Sequence, residues 1–330
     1  MTKVLRVGMI GAGGGMSRLR GKALLQNPRA RVVAACSTRE EHWPRVREMY
    51  GLEPVKEFHR LVSSDEVDAV VVSTPNVFHY EPVLAALQHG KHVLCEYPLV
   101  QTLDQYDTLV RLAGEKGVVL HDGLTPVIED YHLAFKEHIA RVGRPLTLTY
   151  FYHVGRHGWY WQERLAGDPF TLLHVHQIAQ AMDLFGEVES VYAAEVCFKG
   201  VMHHTPPNRV ETGEARGLPA ILRFRLGPLA ILDLGVGVRT PPPFVITLVG
   251  DEGMLEFQAE CNPPKFLARL GKQVVVEKDV PFRFADWFKQ DTDNFVAEIL
   301  DGAAPLVPLA RGRDILRVAL LCSESAKGRG

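Results

Sequence analysis

Along the first third of the chain, short apolar runs alternate with longer stretches of helical period. Residues 4–10, 31–36, 67–73, 92–95 and 117–121 are brief, rich in β-branched side chains and closed by turn or polar residues. That is the pattern of strands buried on both faces. Residues 19–26, 40–50, 79–89 and 103–115 lie between them, each long enough for a helix. Such alternation predicts βαβ units with right-handed crossovers, hence a doubly wound parallel sheet. Gly90 and Gly117 follow two of the helices where a left-handed cap is wanted. After about Leu124 the period changes. Residues 146–154, 188–198, 220–226, 230–236, 244–249 and 254–258 read as strands, broken by turn clusters such as 205–207 and 241–243. Helices are expected over 128–142, 169–185, 286–300 and 310–327. We therefore expect an α/β domain over 1–123 and an α+β domain over 124–330. The second would carry a large open mixed or antiparallel sheet, with its C-terminal helices packing back.

Length and composition agree with two globular domains, at 330 residues with 46% hydrophobic and 23% charged positions. With 37 basic against 39 acidic residues the chain offers no general field for phosphate backbones, so no nucleic-acid partner is expected. Arg6 and the glycines after it interrupt the first apolar run, and no run approaches the ~20 residues of a membrane span. The five cysteines form no C-x-x-C pair and read as reduced thiols. A soluble, cytoplasmic protein is expected.

The densest chemical signal is Gly11-Ala12-Gly13-Gly14-Gly15-Met16, directly after the first strand and before a helix. Small residues there let the backbone approach a dinucleotide pyrophosphate, which the helix N-terminus then binds with free N–H groups. The third glycine of the G-x-G-x-x-G spacing is replaced by Met16, which leaves the register around Gly14 and Gly15 open. The second strand ends in Cys36-Ser37-Thr38-Arg39, without the carboxylate that holds the ribose 2′-hydroxyl of NAD. Two hydroxyls and a guanidinium suit a 2′-phosphate, so NADP(H) is expected over NAD(H). Arg39 stacking over adenine is the plainer alternative.

Two further motifs carry a family resemblance. Ser73-Thr74-Pro75-Asn76-Val77-Phe78-His79 resembles the T-P-N-x-x-H turn of the Gfo/Idh/MocA oxidoreductases. Residues 90–99, read as Gly-Lys-His-Val-Leu-Cys-Glu-Tyr-Pro-Leu, are similar to that family's G-K-H-V-x-x-E-K-P-L segment with Tyr97 in place of lysine. The likeness extends to Gly250–Phe257 and to the terminal Ser325–Arg329. It implies a Rossmann domain and a nicotinamide cofactor held by the glycine loop, Ser37, Thr38, Arg39, Ser73, Thr74, Pro75, Asn76, His79, Glu96 and Tyr97. Family members acting on polyols set a lysine, an aspartate and a histidine around the nicotinamide. Here only His176 matches; Leu172 and Tyr97 stand at the other two positions.

Alcohol oxidation needs a tuned base, whereas a conjugated, imine or carbonyl acceptor takes hydride with little acid assistance. The expected activity is therefore an NADP(H)-dependent reductase with Tyr97 and His176 as catalytic residues. Biliverdin reductases, which share the E-Y-P variant and a V-L-H-acid segment like Val119-Leu120-His121-Asp122, make a biliverdin-like substrate one candidate. A sugar or cyclitol dehydrogenase with an altered proton relay, and a catalytically silent NADP-sensing protein, are the alternatives. Tyr97 either donates a proton or only packs over the nicotinamide. His153, His157, His174 and His176 with Tyr152, Trp159, Tyr160 and Trp161 suggest a cleft wall, and Arg156 and Arg164 a carboxylate contact. No metal site is expected, because His174 and His176 are two apart on a helix and His203-His204 lacks a third ligand. A homodimer or homotetramer through the C-terminal sheet is expected.

Overall fold

The computed structural model describes residues 4–154, 162–205, 209–237 and 244–328, with the backbone alone at 200–205 and 209–213. These residues fall into two compact units, those within Met1–Thr125 and Phe284–Arg313, and those within Pro126–Arg283 and Asp314–Gly330.

In the first unit β1 (Leu5–Ile10), α1 (Gly15–Gln26), β2 (Ala30–Cys36), α2 (Trp43–Tyr50), α3 (His59–Val62), β3 (Ala69–Val72), α4 (Tyr80–Gln88), β4 (His92–Glu96), α5 (Leu103–Lys116) and β5 (Leu120–Gly123) follow in order. The strands form one parallel sheet, ordered β2-β1-β3-β4-β5. Its order reverses beside β1, the switch point at which open α/β sheets bind ligands. Leu5, Val7 and Met9 on one face of β1 pack with Val32, Leu24, Val46, Phe295 and Val296. Gly90 and Gly117 adopt φ of 69° and 64°, the left-handed caps expected of them.

The second unit holds α6 (Asp130–His138), β6 (Pro145–Val154), α7 (Glu163–Ala166), α8 (Pro169–Phe185), β7 (Val188–Ala193), β8 (Val196–Thr205), β9 (Arg209–Gly217), β10 (Ala220–Phe224), β11 (Leu229–Val236), β12 (Val245–Gly250), β13 (Gly253–Gln258), β14 (Lys265–Leu270) and β15 (Gln273–Asp279). Two helices follow, α9 (Phe284–Asp301), within the first unit, and α10 (Leu309–Ala326), which runs across the division at Arg313. The sheet is mixed, ordered β15-β14-β13-β12-β6-β11-β10-β7, with β6 and β11 parallel and the β8–β9 hairpin joined to β11 through β9. Its period-2 alternation gives two unlike faces. Leu255, Leu248, Leu148, Ala230 and Leu222 lie side by side in register and are buried. On the other face Thr247, Thr149, Ile231, Ile221 and Tyr192 form a matching row, with Tyr192 66% exposed.

Candidate cofactor site

The glycine loop is shaped by two left-handed residues, Gly11 (φ 82°) and Gly13 (φ 88°). A Cβ on Gly11 would lie 2.7 Å from the Ser73 carbonyl, and one on Gly13 would lie 2.7 Å from Cβ of His42. Neither position admits a side chain, for conformational and steric reasons together. The Gly11 and Ala12 N–H groups donate to the Cys36 carbonyl (3.0 and 2.9 Å), which pins the loop to the end of β2. Gly14 caps α1 with no side-chain partner, a Cβ on Gly15 would meet open space, and the first turn holds no acidic residue. The opening N–H groups of α1 are thus left to an anion.

Met16, at the third-glycine position, is 48% exposed, while Ser17 is buried and its Oγ donates to the Gly14 carbonyl (3.1 Å). Ser17, rather than the residue at the third-glycine position, is therefore the one turned inward in this first turn.

At the end of β2, Ser37 is buried and its hydroxyl pairs with the Arg39 backbone (3.3 and 3.4 Å). The Trp43 indole donates to the Ser37 carbonyl (3.0 Å) and closes the bend. Thr38 is exposed. The Arg39 side chain is 57% exposed and, among the described residues, pairs with Glu41 at 3.7 Å.

The loop after β3 is less satisfied. Among the described residues, Ser73 Oγ and Asn76 Nδ2 are buried with no hydrogen-bond partner, beside the carbonyl that Gly11 approaches. Unpaired buried polar atoms cost free energy unless a ligand or water completes them. Together with the glycine cradle, they fit a dinucleotide. Thr74 Oγ1 donates to the Phe78 carbonyl (3.0 Å), and Pro75 leads into a helical turn at 76–78. His79 is fully buried, with Nδ1 2.8 Å from the Pro98 carbonyl and Nε2 2.8 Å from the Thr74 carbonyl. Burial pushes its pKa down. The neutral ring has one N–H to donate to one of these two carbonyls, and it packs this loop against the Tyr97–Pro98 turn. That turn contains a cis peptide, and Tyr97 is half-buried.

Glu96 points inward as well, accepting from the Arg20 guanidinium (2.7 Å). Arg20 has no exposed surface. Asp291 of α9 pairs with it, Thr292 Oγ1 lies 3.2 Å away and the Phe288 ring 4.7 Å away. His121 bridges Asp291 (3.0 Å) and Glu298 (2.6 Å). The sequence reading missed this cluster, although Ser17, Arg20 and Leu24 share the buried stripe of α1 at helical spacing.

In the second unit His174 is buried against the Leu218 carbonyl (2.8 Å) and His176 is partly exposed. Desolvation holds both near a pKa of about 4. Leu172 is buried. Asp168 caps α8, accepting from the Phe170 and Thr171 N–H groups, with Pro169 at the first helical position. His153 contacts Asp233 (3.0 Å), and Arg164 donates to Gln162 (2.8 Å) rather than standing as a free cation. Arg156, His157, Trp159, Tyr160 and Trp161 lie outside the described residues, as do the side chains of His203 and His204. Among the described residues no group of histidines, cysteines and carboxylates could hold a metal ion. None of the described helices is long and apolar enough to cross a membrane.

Comparison with known proteins agrees with this geometry. Residues 5–124 match the GFO/IDH/MocA model described as an oxidoreductase family with an NAD-binding Rossmann fold, and residues 133–256 match the GFO/IDH/MocA C-terminal domain. The crystal structure of biliverdin reductase from Synechocystis sp. PCC 6803, in complex with biliverdin and NADP+, superposes with a TM-score of 0.86 at 27% identity, covering 98% of this chain and 99% of that one. The 1,5-anhydro-D-fructose reductase of Ensifer adhaerens is 40% identical over 126 residues, 37% of this chain and 38% of that protein. A dTDP-3,4-didehydro-2,6-dideoxy-alpha-D-glucose 3-reductase of Actinomadura kijaniata is 40% identical over 116 residues, 35% of each chain. The matched stretches thus span little more than a third of these two relatives. The two domain models and the strand-end loops point the same way: the chain belongs to the Gfo/Idh/MocA family of oxidoreductases, with an NAD-binding Rossmann fold.

Proposed function

We propose that this chain is an NADP(H)-dependent reductase, passing hydride to a small conjugated, imine or carbonyl substrate, with biliverdin-like compounds among the candidates. The observation that carries the reading is the bend at Ser37–Arg39: it holds no acid of its own and presents an exposed guanidinium one loop away from the glycine cradle. A carboxylate there would repel a 2′-phosphate, and this bend does the reverse. Glycines 11, 13, 14 and 15 with Met16 would hold the pyrophosphate, Ser37, Thr38 and Arg39 the 2′-phosphate, and Ser73, Thr74, Pro75 and Asn76 the nicotinamide side. His79 and Glu96 would fix the loops behind them. The bound cofactor supplies the hydride, and the matching proton is assigned to the Tyr97 hydroxyl. His176, held neutral by desolvation, would give or take a hydrogen bond without adding charge.

The likeness to a biliverdin reductase over nearly the whole chain supports the conjugated-acceptor reading. A sugar carbonyl is the second reading, supported by the N-terminal likeness to 1,5-anhydro-D-fructose reductase. Polyol oxidation is disfavoured by Leu172 and Tyr97, which supply no tuned base. We assign self-association to the open face of the mixed sheet, as a dimer or tetramer.

The test is a fluorescence titration with NADPH and NADH, followed by nicotinamide absorbance during incubation with biliverdin, cyclic imines, keto-sugars and polyols. We expect tighter NADPH binding, consumption of NADPH with one acceptor class, and no reduction of NADP+ by polyols. Arg39→Ala should weaken NADPH roughly 10- to 100-fold and NADH little, as for loss of one charge-assisted contact. Binding without turnover across the panel would make the chain a nucleotide sensor, and equal loss for both nucleotides would remove the NADP assignment.

A further inference from the structure

His42 lies between the two parts of this site and was not singled out by any motif. Its backbone N–H donates to the Arg39 carbonyl (3.0 Å), closing the turn that carries the guanidinium. Its side chain crowds the place a Cβ on Gly13 would take, with Cβ 2.7 Å and the ring carbon Cγ 3.3 Å from that point. The next residue, Trp43, locks the turn through the Ser37 carbonyl. The backbone of His42 is therefore fixed in this turn, with its side chain against the glycine loop and three residues from Arg39.

We propose that His42 is a further specificity-determining residue, whose imidazolium shares the 2′-phosphate of NADP(H) with Arg39. This rests on the NADP(H) reading above and deepens it. In the free chain, desolvation first and then the positive charge of Arg39, with a smaller push from Arg45, lower the pKa of His42. Glu41 and the Ala12 carbonyl act in the opposite sense. These are the charged and polar groups that act on it among the described residues. Arrival of a dianionic phosphate offsets the two arginines and draws a proton onto the ring. NADPH binding then takes up protons, and the His42 share of its affinity is present at low pH and lost as pH rises through neutrality. NADH, which lacks the phosphate, has no such linkage.

The test compares wild type with His42→Gln, measuring dissociation constants for NADPH and NADH at pH 6 and pH 8.5. The ratio of variant to wild type cancels the ionisation of the phosphate itself. For NADPH we expect a ratio of about tenfold at pH 6 falling toward unity at pH 8.5, and for NADH a ratio near unity throughout. Calorimetry at pH 7 in buffers of different ionisation heat should show proton uptake with NADPH in wild type, reduced in the variant. An NADPH ratio that does not change with pH, or an identical change for NADH, overturns the inference while leaving the NADP(H) reading in place. Binding of neither nucleotide overturns both.

Discussion

Arg20 carries its charge with no exposed surface, on the helix that opens at the glycine loop. Such burial is tolerated only because Glu96 and Asp291 flank the guanidinium and Phe288 covers it. Glu96, spoken for in this way, holds the strand end that leads directly into Tyr97. The role of Tyr97 can be read from one substitution. Tyr97→Phe should lower the rate constant for hydride transfer about 100-fold with nucleotide affinity unchanged, as for loss of a general acid. An unchanged rate and pH profile would show that the ring only packs. At this scale the sequence was informative wherever backbone shape demanded one residue type. Gly11 and Gly13 had to be glycine, and their place between β1 and α1 pointed to the nucleotide-binding fold. It was silent on Arg20 and His42, because their partners stand 76 and 271 residues away or are backbone atoms.

Among the elements, α8 was legible to the residue, since Asp168 and Pro169 announce its start and Phe185-Gly186 its end. Helix α1 begins at Gly15, earlier than the apolar period suggested, because its first turn has little to bury. Residues 188–198 were expected as one strand and form parts of two, with a break at Ala194 and Glu195. Strands β9, β14 and β15 went unread: β9 has only Val210 and Ala215 as apolar side chains, and β15 alternates weakly with most of its residues exposed. Helix α9 binds to the first unit through charge as well as packing. His121, between Asp291 and Glu298, is raised to about 9 from 6.5 by those carboxylates against a strong desolvation penalty. A raised histidine stabilises fully below the unfolded value and loses that stabilisation as pH rises toward the folded one. Between pH 7.5 and 9 we expect unfolding free energy to fall by on the order of 2 kcal/mol, and the fall to be absent in His121→Gln. Urea denaturation at a series of pH values checks this, and equal slopes in both proteins would place the charge elsewhere. Asp122, pushed up to about 7 by burial beside Tyr106, is common to both proteins, so the comparison with His121→Gln cancels its titration.

For the molecule as a whole, the near-neutral balance of 37 basic and 39 acidic residues leaves little electrostatic repulsion to keep copies apart. The row Tyr192, Ile221, Ile231, Thr149 and Thr247 presents apolar and small polar groups on a continuous sheet face. Light scattering should report a dimer or tetramer at micromolar concentration. Tyr192→Asp with Ile221→Asp should shift it to monomer while the circular dichroism spectrum is retained. A wild-type monomer would refute this assignment. The tie made by His79 has a consequence of another kind. Thr74 and Pro98 belong to separate stretches of chain, yet one buried ring lies against a carbonyl of each, donating to one of them when neutral. A substitution that removes the ring would leave a gap between the two stretches and loosen both walls of the pocket together.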